Sequence, residues 1–145
     1  MSLISTKLPF TLHARLMADT HVMGDLPLCR VLLMNDARFP WLILVPRRAK
    51  LHEMADLSVE DGITLMDEVR LCSRALRDVL SPDRINVAAI GNIVDQLHIH
   101  VVARTVTDPA WPGTVWGHGG GAKPYDDPAL LHWRNELLPR LKLSA

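Results

Sequence analysis

The chain of 145 residues has no surplus of either charge: 16 Lys plus Arg stand against 16 Asp plus Glu. That balance removes the main reason to expect a nucleic-acid backbone or an anionic membrane as partner, since both select basic surfaces. It leaves room for a small phosphorylated ligand, which needs only a few local donors. Cysteine is scarce. Cys29 and Cys72 are far apart and show no zinc-type spacing, so they read as reduced, buried thiols in a cytoplasmic protein. No stretch approaches the ~18 apolar residues that suggest a membrane span. Residues 1–7 lack a basic segment followed by a long apolar run, so no signal peptide is expected. Hydrophobic content of 48% and charged content of 22% are ordinary for a globular chain. The length fits one domain with a real core, and we see no internal repeat and no boundary within residues 1–145.

What is present divides into short apolar runs and two helical patterns. Phe10 to Met17 reads as a short helix or turn that sends Phe10, Leu12 and Leu16 to a core. Asp19 to Met23 reads as a strand, and Gly24-Asp25 marks a turn. Pro27 to Met34 and Trp41 to Pro46 read as two strands joined by a short loop, hence an antiparallel hairpin. The basic run Arg47-Arg48-Ala49-Lys50 is a solvated loop or an anion-attracting rim. Ser58 is a plausible N-cap for a long helix, with Glu60 and Asp61 at the positive end of its dipole. Val59, Ile63, Met66, Val69, Leu76, Val79 and Leu80 recur at roughly helical spacing and are expected in the core. Pro82 ends that helix. Ile85 to Ile90 is a further strand, broken at Gly91-Asn92. Residues 108–121 are rich in Gly, Pro and Trp. Trp111 and Trp116 argue against disorder, so this stretch is expected to be an ordered loop that covers the site or a partner subunit. Pro128 to Leu141 reads as a final helix, with Pro128 in its first turn.

The stretch Asp95-Gln96-Leu97-His98-Ile99-His100-Val101-Val102-Ala103-Arg104 alternates with period two, as a half-buried strand does. Gln96, His98, His100 and Arg104 share one face. Three readings of that face compete. In the first, a neutral imidazole attacks phosphorus and forms a covalent phosphohistidine. Histidine suits this, because an unperturbed pKa of ~6.5 leaves much of it neutral near pH 7. Neighbouring donors at Gln96, His100 and the Gly91-Asn92 loop then stabilise charge on the phosphoryl group. In the second, His98 and His100 hold a metal, with a third ligand from His13, His21, His52, His118 or His132, none at a recognisable ligand spacing. In the third, the histidines are simply satisfied on a sheet face.

Gln96-Leu97-His98-Ile99-His100-Val101-Val102 resembles the signature of the histidine triad (HIT) superfamily, in which three histidines alternate with apolar residues. Gln96 stands where the first histidine is usual. The resemblance extends over residues 10–116. Gly91 matches a glycine of the phosphate loop. Trp41 to Arg48 resembles the family strand that ends in proline and basic residues, and Asn35 matches the acidic or amide residue that holds a ribose. Ile93 departs from the serine or threonine of the phosphoramidase members, and their strand asparagine has no clear equivalent here, though Asn92 can supply an amide. A glutamine also replaces an outer histidine in the related galactose-1-phosphate uridylyltransferases, at the other end of the motif.

The resemblance implies an α+β, HIT-like fold: a five-stranded antiparallel sheet with one long helix and a C-terminal helix. It implies a hydrolase or nucleotidyl transferase acting at the α-phosphate of a nucleotide conjugate, of dinucleoside polyphosphate or phosphoramidate type. His98 becomes the nucleophile, His100 the group that orients or protonates phosphate and leaving group, and Gln96 a third, non-titrating member. Asn35, Trp41, Gly91 and Asn92 become nucleotide- and phosphate-binding positions, and Arg104, on the same face, a candidate anion contact. The resemblance also implies a homodimer in which the two sheets join and the C-terminal segment approaches the other subunit's site. A phosphohistidine mechanism requires no metal or other cofactor. The alternatives are a nucleotide-binding module with little or no catalysis, suggested by Gln96 and Ile93, and a His-x-His metal hydrolase.

Overall fold

The computed structural model describes residues 9–143. Their order is α1 (Ala14–Asp19), β1 (Thr20–Asp25), β2 (Cys29–Met34), β3 (Trp41–Pro46), a short 3-10 turn (Met54–Asp56), α2 (Val59–Leu80), β4 (Arg84–Ala89), β5 (Ile99–Arg104) and α3 (Asp127–Leu141). The strands form one antiparallel sheet in the order β1-β2-β3-β5-β4. This is the expected α+β arrangement. The hairpin β2–β3 pairs Cys29 with Pro46 and Leu33 with Leu42. β5 inserts between β3 and β4, so His100 lies opposite Ile43 on one side and Ala88 on the other.

The sheet is covered on both faces. Val31, Leu33, Leu42, Leu44, Ile99, Val101 and Ala103 form one core with α2 and α3. Leu32, Trp41, Ile43, Val45 and Val102 form a second with Leu12, Leu16, Phe39, Val94 and Val115. Period-two alternation in β5 suggests a half-buried strand, but His98, His100 and Arg104 are all buried, at 5%, 5% and 2% exposure. The polar face is roofed by α1 and the segments around it, a non-local packing that alternation cannot reveal.

The helix α2 has the expected bounds, and the Ser58 side chain accepts the Asp61 amide at 3.1 Å. Its buried face differs from the expected one. Leu65, Glu68, Val69, Cys72, Ala75 and Leu76 are buried, whereas Val59, Ile63 and Met66 are exposed, at 84%, 63% and 55%. The buried Glu68 carboxylate accepts the backbone amides of Leu28 and Cys29 at 2.9 and 2.7 Å, a charge-assisted pairing that ties α2 to the start of β2. A hydrophobic count passes over a buried acid. Cys29 and Cys72 are free and buried, as expected. Burial, and then the Glu68 carboxylate, push both thiols well above the usual range, so they stay protonated.

α3 begins one residue before Pro128, capped by the Asp126 side chain, and buries Trp133, Leu137 and Leu141. Leu131, on its outer face, is 58% exposed. Among the described residues no helix is long and apolar enough to cross a membrane.

Candidate active site

His98 stands just before the paired part of β5, and His100 lies within it. Their rings meet edge to face, with centroids 4.9 Å apart. The His98 Nδ1 is 2.7 Å from the carbonyl oxygen of Gln96. A carbonyl only accepts, so Nδ1 carries the proton and Nε2 keeps its lone pair. His100 is set the other way. The indole Nε1 of Trp41 lies 2.9 Å from His100 Nδ1. An indole nitrogen only donates, so His100 Nδ1 is the acceptor and its neutral ring carries hydrogen on Nε2. The register explains the contact: Trp41 pairs with Val102 and Ile43 with His100, which makes Trp41 the diagonal same-face neighbour of His100. Burial first, and then the neighbouring His98 ring, lower the His100 pKa from 6.5 to about 4. The two imidazoles thus offer different Nε2 atoms, one a lone pair and the other a donor.

A cavity of about 380 Å³ opens over these rings. Its walls are Leu16, Met34, Trp41, Ile43, Ile90, Ile93, Val94, Val115 and Trp116, with Arg15 and Asp19 from α1, Asn92, and Gly117. Arg15 and Asp19 pair with each other at 3.6 Å. Trp116 packs on His100 with centroids 5.4 Å apart and on Trp41 at 6.2 Å. Its indole nitrogen is buried with no protein partner. The Gly/Pro/Trp loop therefore covers the site of its own chain. Gly117, at φ +79°, turns the chain just after Trp116.

Of the residues marked in the sequence, the structure brings His98, His100, Trp41 and Asn92 to this cavity. Trp41 meets the histidines as a donor to His100 as well as a wall. Gln96 does not join the histidine pair through its side chain. Its Oε1 accepts the His13 amide and its Nε2 donates to the Thr11 carbonyl, both at 2.8 Å, so both ends of the amide clamp the segment leading into α1. Arg104 is drawn away from the cavity. Its guanidinium is bidentate to Asp108, at 2.7 and 3.0 Å, and reaches Asn86 Oδ1 and the Gly113 carbonyl. Asn35 lies in an adjoining depression with Asp36, Arg38 and His118, and its Oδ1 accepts the Tyr125 amide at 2.9 Å. Gly91 is exposed beside the cavity loop, and a Cβ there would meet the Val94 carbonyl at 3.5 Å.

Sequence reasoning missed the contributions of Arg15, Asp19, Met34 and Val115. These are ordinary residues on separate elements, and no local pattern marks them. Among the described residues no group of three or more His, Cys, Asp or Glu is placed to hold a metal.

A histidine pair on a central strand, complementary in its tautomers and open to a cavity, defines a class of site as well as a fold. The HIT domain family model matches residues 15–107, and the chain belongs to the HIT family. Solved structures agree over nearly the whole length. A histidine triad protein from Marinobacter aquaeolei is 43% identical, with TM-score 0.91, covering 94% of this chain and 100% of that one. One from Bradyrhizobium japonicum is 41% identical, with TM-score 0.90, covering 92% and 99%. One from Sinorhizobium meliloti is 43% identical, with TM-score 0.87, covering 90% and 96%. No curated protein matches the chain.

Proposed function

We propose that the protein is a nucleotide hydrolase or nucleotidyl transferase that acts at the α-phosphate of a nucleotide conjugate through His98. The observation that carries this reading is the 2.7 Å contact from His98 Nδ1 to the Gln96 carbonyl, which leaves Nε2 as a fixed lone pair at the cavity. His98 Nε2 bonds to phosphorus as the bond to the leaving group breaks. The Nδ1 proton stays on the ring, and the Gln96 carbonyl supports the cationic imidazole that forms. His100 Nε2–H donates to a non-bridging phosphoryl oxygen and stabilises its growing charge. Water, or an acceptor hydroxyl, then takes the phosphoryl group from Nε2 and returns His98 to its neutral form. The apolar walls suit a nucleobase. The mechanism calls on no metal.

Mixing the protein with a panel of nucleotide conjugates, quenching, and mapping the adduct by mass spectrometry tests this. A nucleotidyl group on His98 is expected. His98→Ala should abolish turnover, and His98→Asn should keep nucleotide affinity within a few-fold. Full turnover by a clean His98→Ala preparation sinks the mechanism. One observation favours a second reading, a nucleotide-binding module with little turnover: the Gln96 amide is committed to Thr11 and His13 rather than to the histidines. Tight binding with no turnover across the panel would establish that module.

We also propose a homodimer. Val59, Ile63 and Met66 form an exposed apolar stripe on α2, and β4 is an edge strand with Val87 half exposed, so a second copy has both a sheet edge and a helix face to join.

A further inference from the structure

The Trp41–His100 contact limits which leaving groups the site can expel. For His100 to act as a general acid, its ring must first become an imidazolium with hydrogen on both nitrogens. That would set Nδ1–H against the Trp41 Nε1–H at 2.9 Å, two donors head to head with no acceptor between them. Nor does any other wall supply a proton donor aimed at the histidines. On α1, Arg15 and Asp19 are paired with each other. From β3 and the covering loop come the Trp41 and Trp116 indoles, and on β5 the neighbour is His98, which is the nucleophile. The side chains of Ile90, Ile93 and Val94 carry no acidic proton, and the Asn92 carboxamide does not release one near neutrality. Burial and His98 both act in the same direction as Trp41, holding His100 neutral down to about pH 4.

A neutral imidazole N–H donates a hydrogen bond but does not surrender its proton near neutrality. A P–N bond cannot break cleanly without one, because an amine must take a proton as it leaves. A carboxylate or a phosphate departs as a stable anion and needs none. Resting on the hydrolase reading above, we infer that the site takes nucleotide anhydrides and discriminates against phosphoramidates, with Trp41 as the positioning residue that sets this preference. The reaction balances without an enzyme acid. His98 Nε2 forms the bond to phosphorus while the anhydride P–O bond breaks, and the leaving group carries the electron pair away as its anion. Water then attacks phosphorus, the Nε2–P bond electrons return to His98, and the water proton passes to solvent. Arg15 is the only basic Lys or Arg side chain lining the cavity among the described residues, and most of the wall is apolar. An acyl leaving group fits this wall better than a polyphosphate.

Three adenosine substrates test the inference: an aryl acyl adenylate, diadenosine tetraphosphate, and an adenosine alkylphosphoramidate. Turnover is followed in ¹⁸O-water, so that label in the AMP phosphate reports attack at phosphorus. We expect at least one anhydride to exceed the phosphoramidate by about 100-fold in kcat/KM, which reports departure of the leaving group, on the scale of a missing general acid. Trp41→Phe removes the opposing donor and lets His100 take a second proton. The anhydride-to-phosphoramidate ratio should then fall about 10-fold, with a new acid limb in the phosphoramidate pH profile. A phosphoramidate kcat/KM equal to or above that of both anhydrides in the unaltered protein overturns the inference and leaves the His98 mechanism standing. No turnover of any of the three overturns the hydrolase reading and this inference with it. A measurement free of substrate stands beside these. In ¹⁵N-labelled protein at pH 7, His100 should show protonated Nε2 and bare Nδ1. A doubly protonated ring, or hydrogen on Nδ1, overturns the role of Trp41 whatever the kinetics.

Discussion

At the scale of single residues, neighbours decide what each side chain can do. Motif position separates His98 from His100 in role, but nothing in a linear reading separates them in protonation. One faces a carbonyl and the other an indole N–H, and these partners assign opposite tautomers. His100 also links the site to stability. Its folded pKa lies near 4, against 6.5 for the free ring. Between those values the unfolded chain binds a proton that the folded one does not, so stability falls as pH drops through this window and levels off below it. The shift corresponds to about 3 kcal/mol. Urea unfolding of the native protein between pH 7 and pH 4 should show that loss, and His100→Asn should remove most of the slope. Gln96 carries a separate expectation. Its side chain holds the His13 amide and the Thr11 carbonyl, so Gln96→Ala should expose the His13 amide to rapid hydrogen exchange while leaving central sheet amides protected. It should also raise KM more than it lowers kcat, because α1 forms part of the cavity wall. Unchanged exchange at His13 would mean that the clamp is not formed in solution. The motif made Gln96 conspicuous, but its role depends on a segment more than eighty positions earlier, which no local pattern contains.

At the scale of elements, the strong local signals carried through. β3 and α2 have the bounds their sequence suggests, because proline ends one and a serine cap with a downstream Ser-Pro brackets the other. The N-terminal turns of α2 carry two apolar stripes, and the sheet takes Leu65, Val69, Cys72 and Leu76 while Val59, Ile63 and Met66 stay exposed. The covering loop is held by a non-local device. The guanidinium of Arg104 on β5, 2% exposed, bridges Asp108 and Gly113, and lies over the rings of Phe39 and Trp111 at 5.9 and 5.8 Å. Those hydrogen bonds hold the Asp108 carboxyl below the usual range. Asp108→Ala leaves a buried cation without its partner and should cost about 3 kcal/mol or more in chemical denaturation. Pairing it with Arg104→Met should recover a good part of that loss, since an apolar side chain does not need the missing carboxylate. If the double variant is no more stable than the single one, Arg104 is held by its other contacts and not by Asp108.

At the scale of the whole molecule, one sheet separates two cores. α2 and α3 pack on one face, and the site lies on the other, beneath α1 and the loop that follows β5. The helix side leaves Val59, Ile63 and Met66 in the open. On the proposed dimer, light scattering should report twice the 16.2 kDa chain mass. Ile63→Asp combined with Met66→Lys should shift the protein to monomer without unfolding it. A monomeric native protein at micromolar concentration ends that proposal.

The sequence by itself determined the elements and their class. Period-two runs, proline stops and a capped helical pattern are local, and local terms are enough to settle strand or helix. It also singled out the strand that carries His98 and His100, because period-two alternation lines Gln96, His98 and His100 on one face. Only the tertiary structure decided how those histidines are protonated, that Gln96 serves α1 and Arg104 serves the loop, and that the Trp116 segment closes its own chain's cavity. Each of these depends on a hydrogen bond or ring contact between residues far apart in sequence, and such contacts exist only once the sheet has set its register.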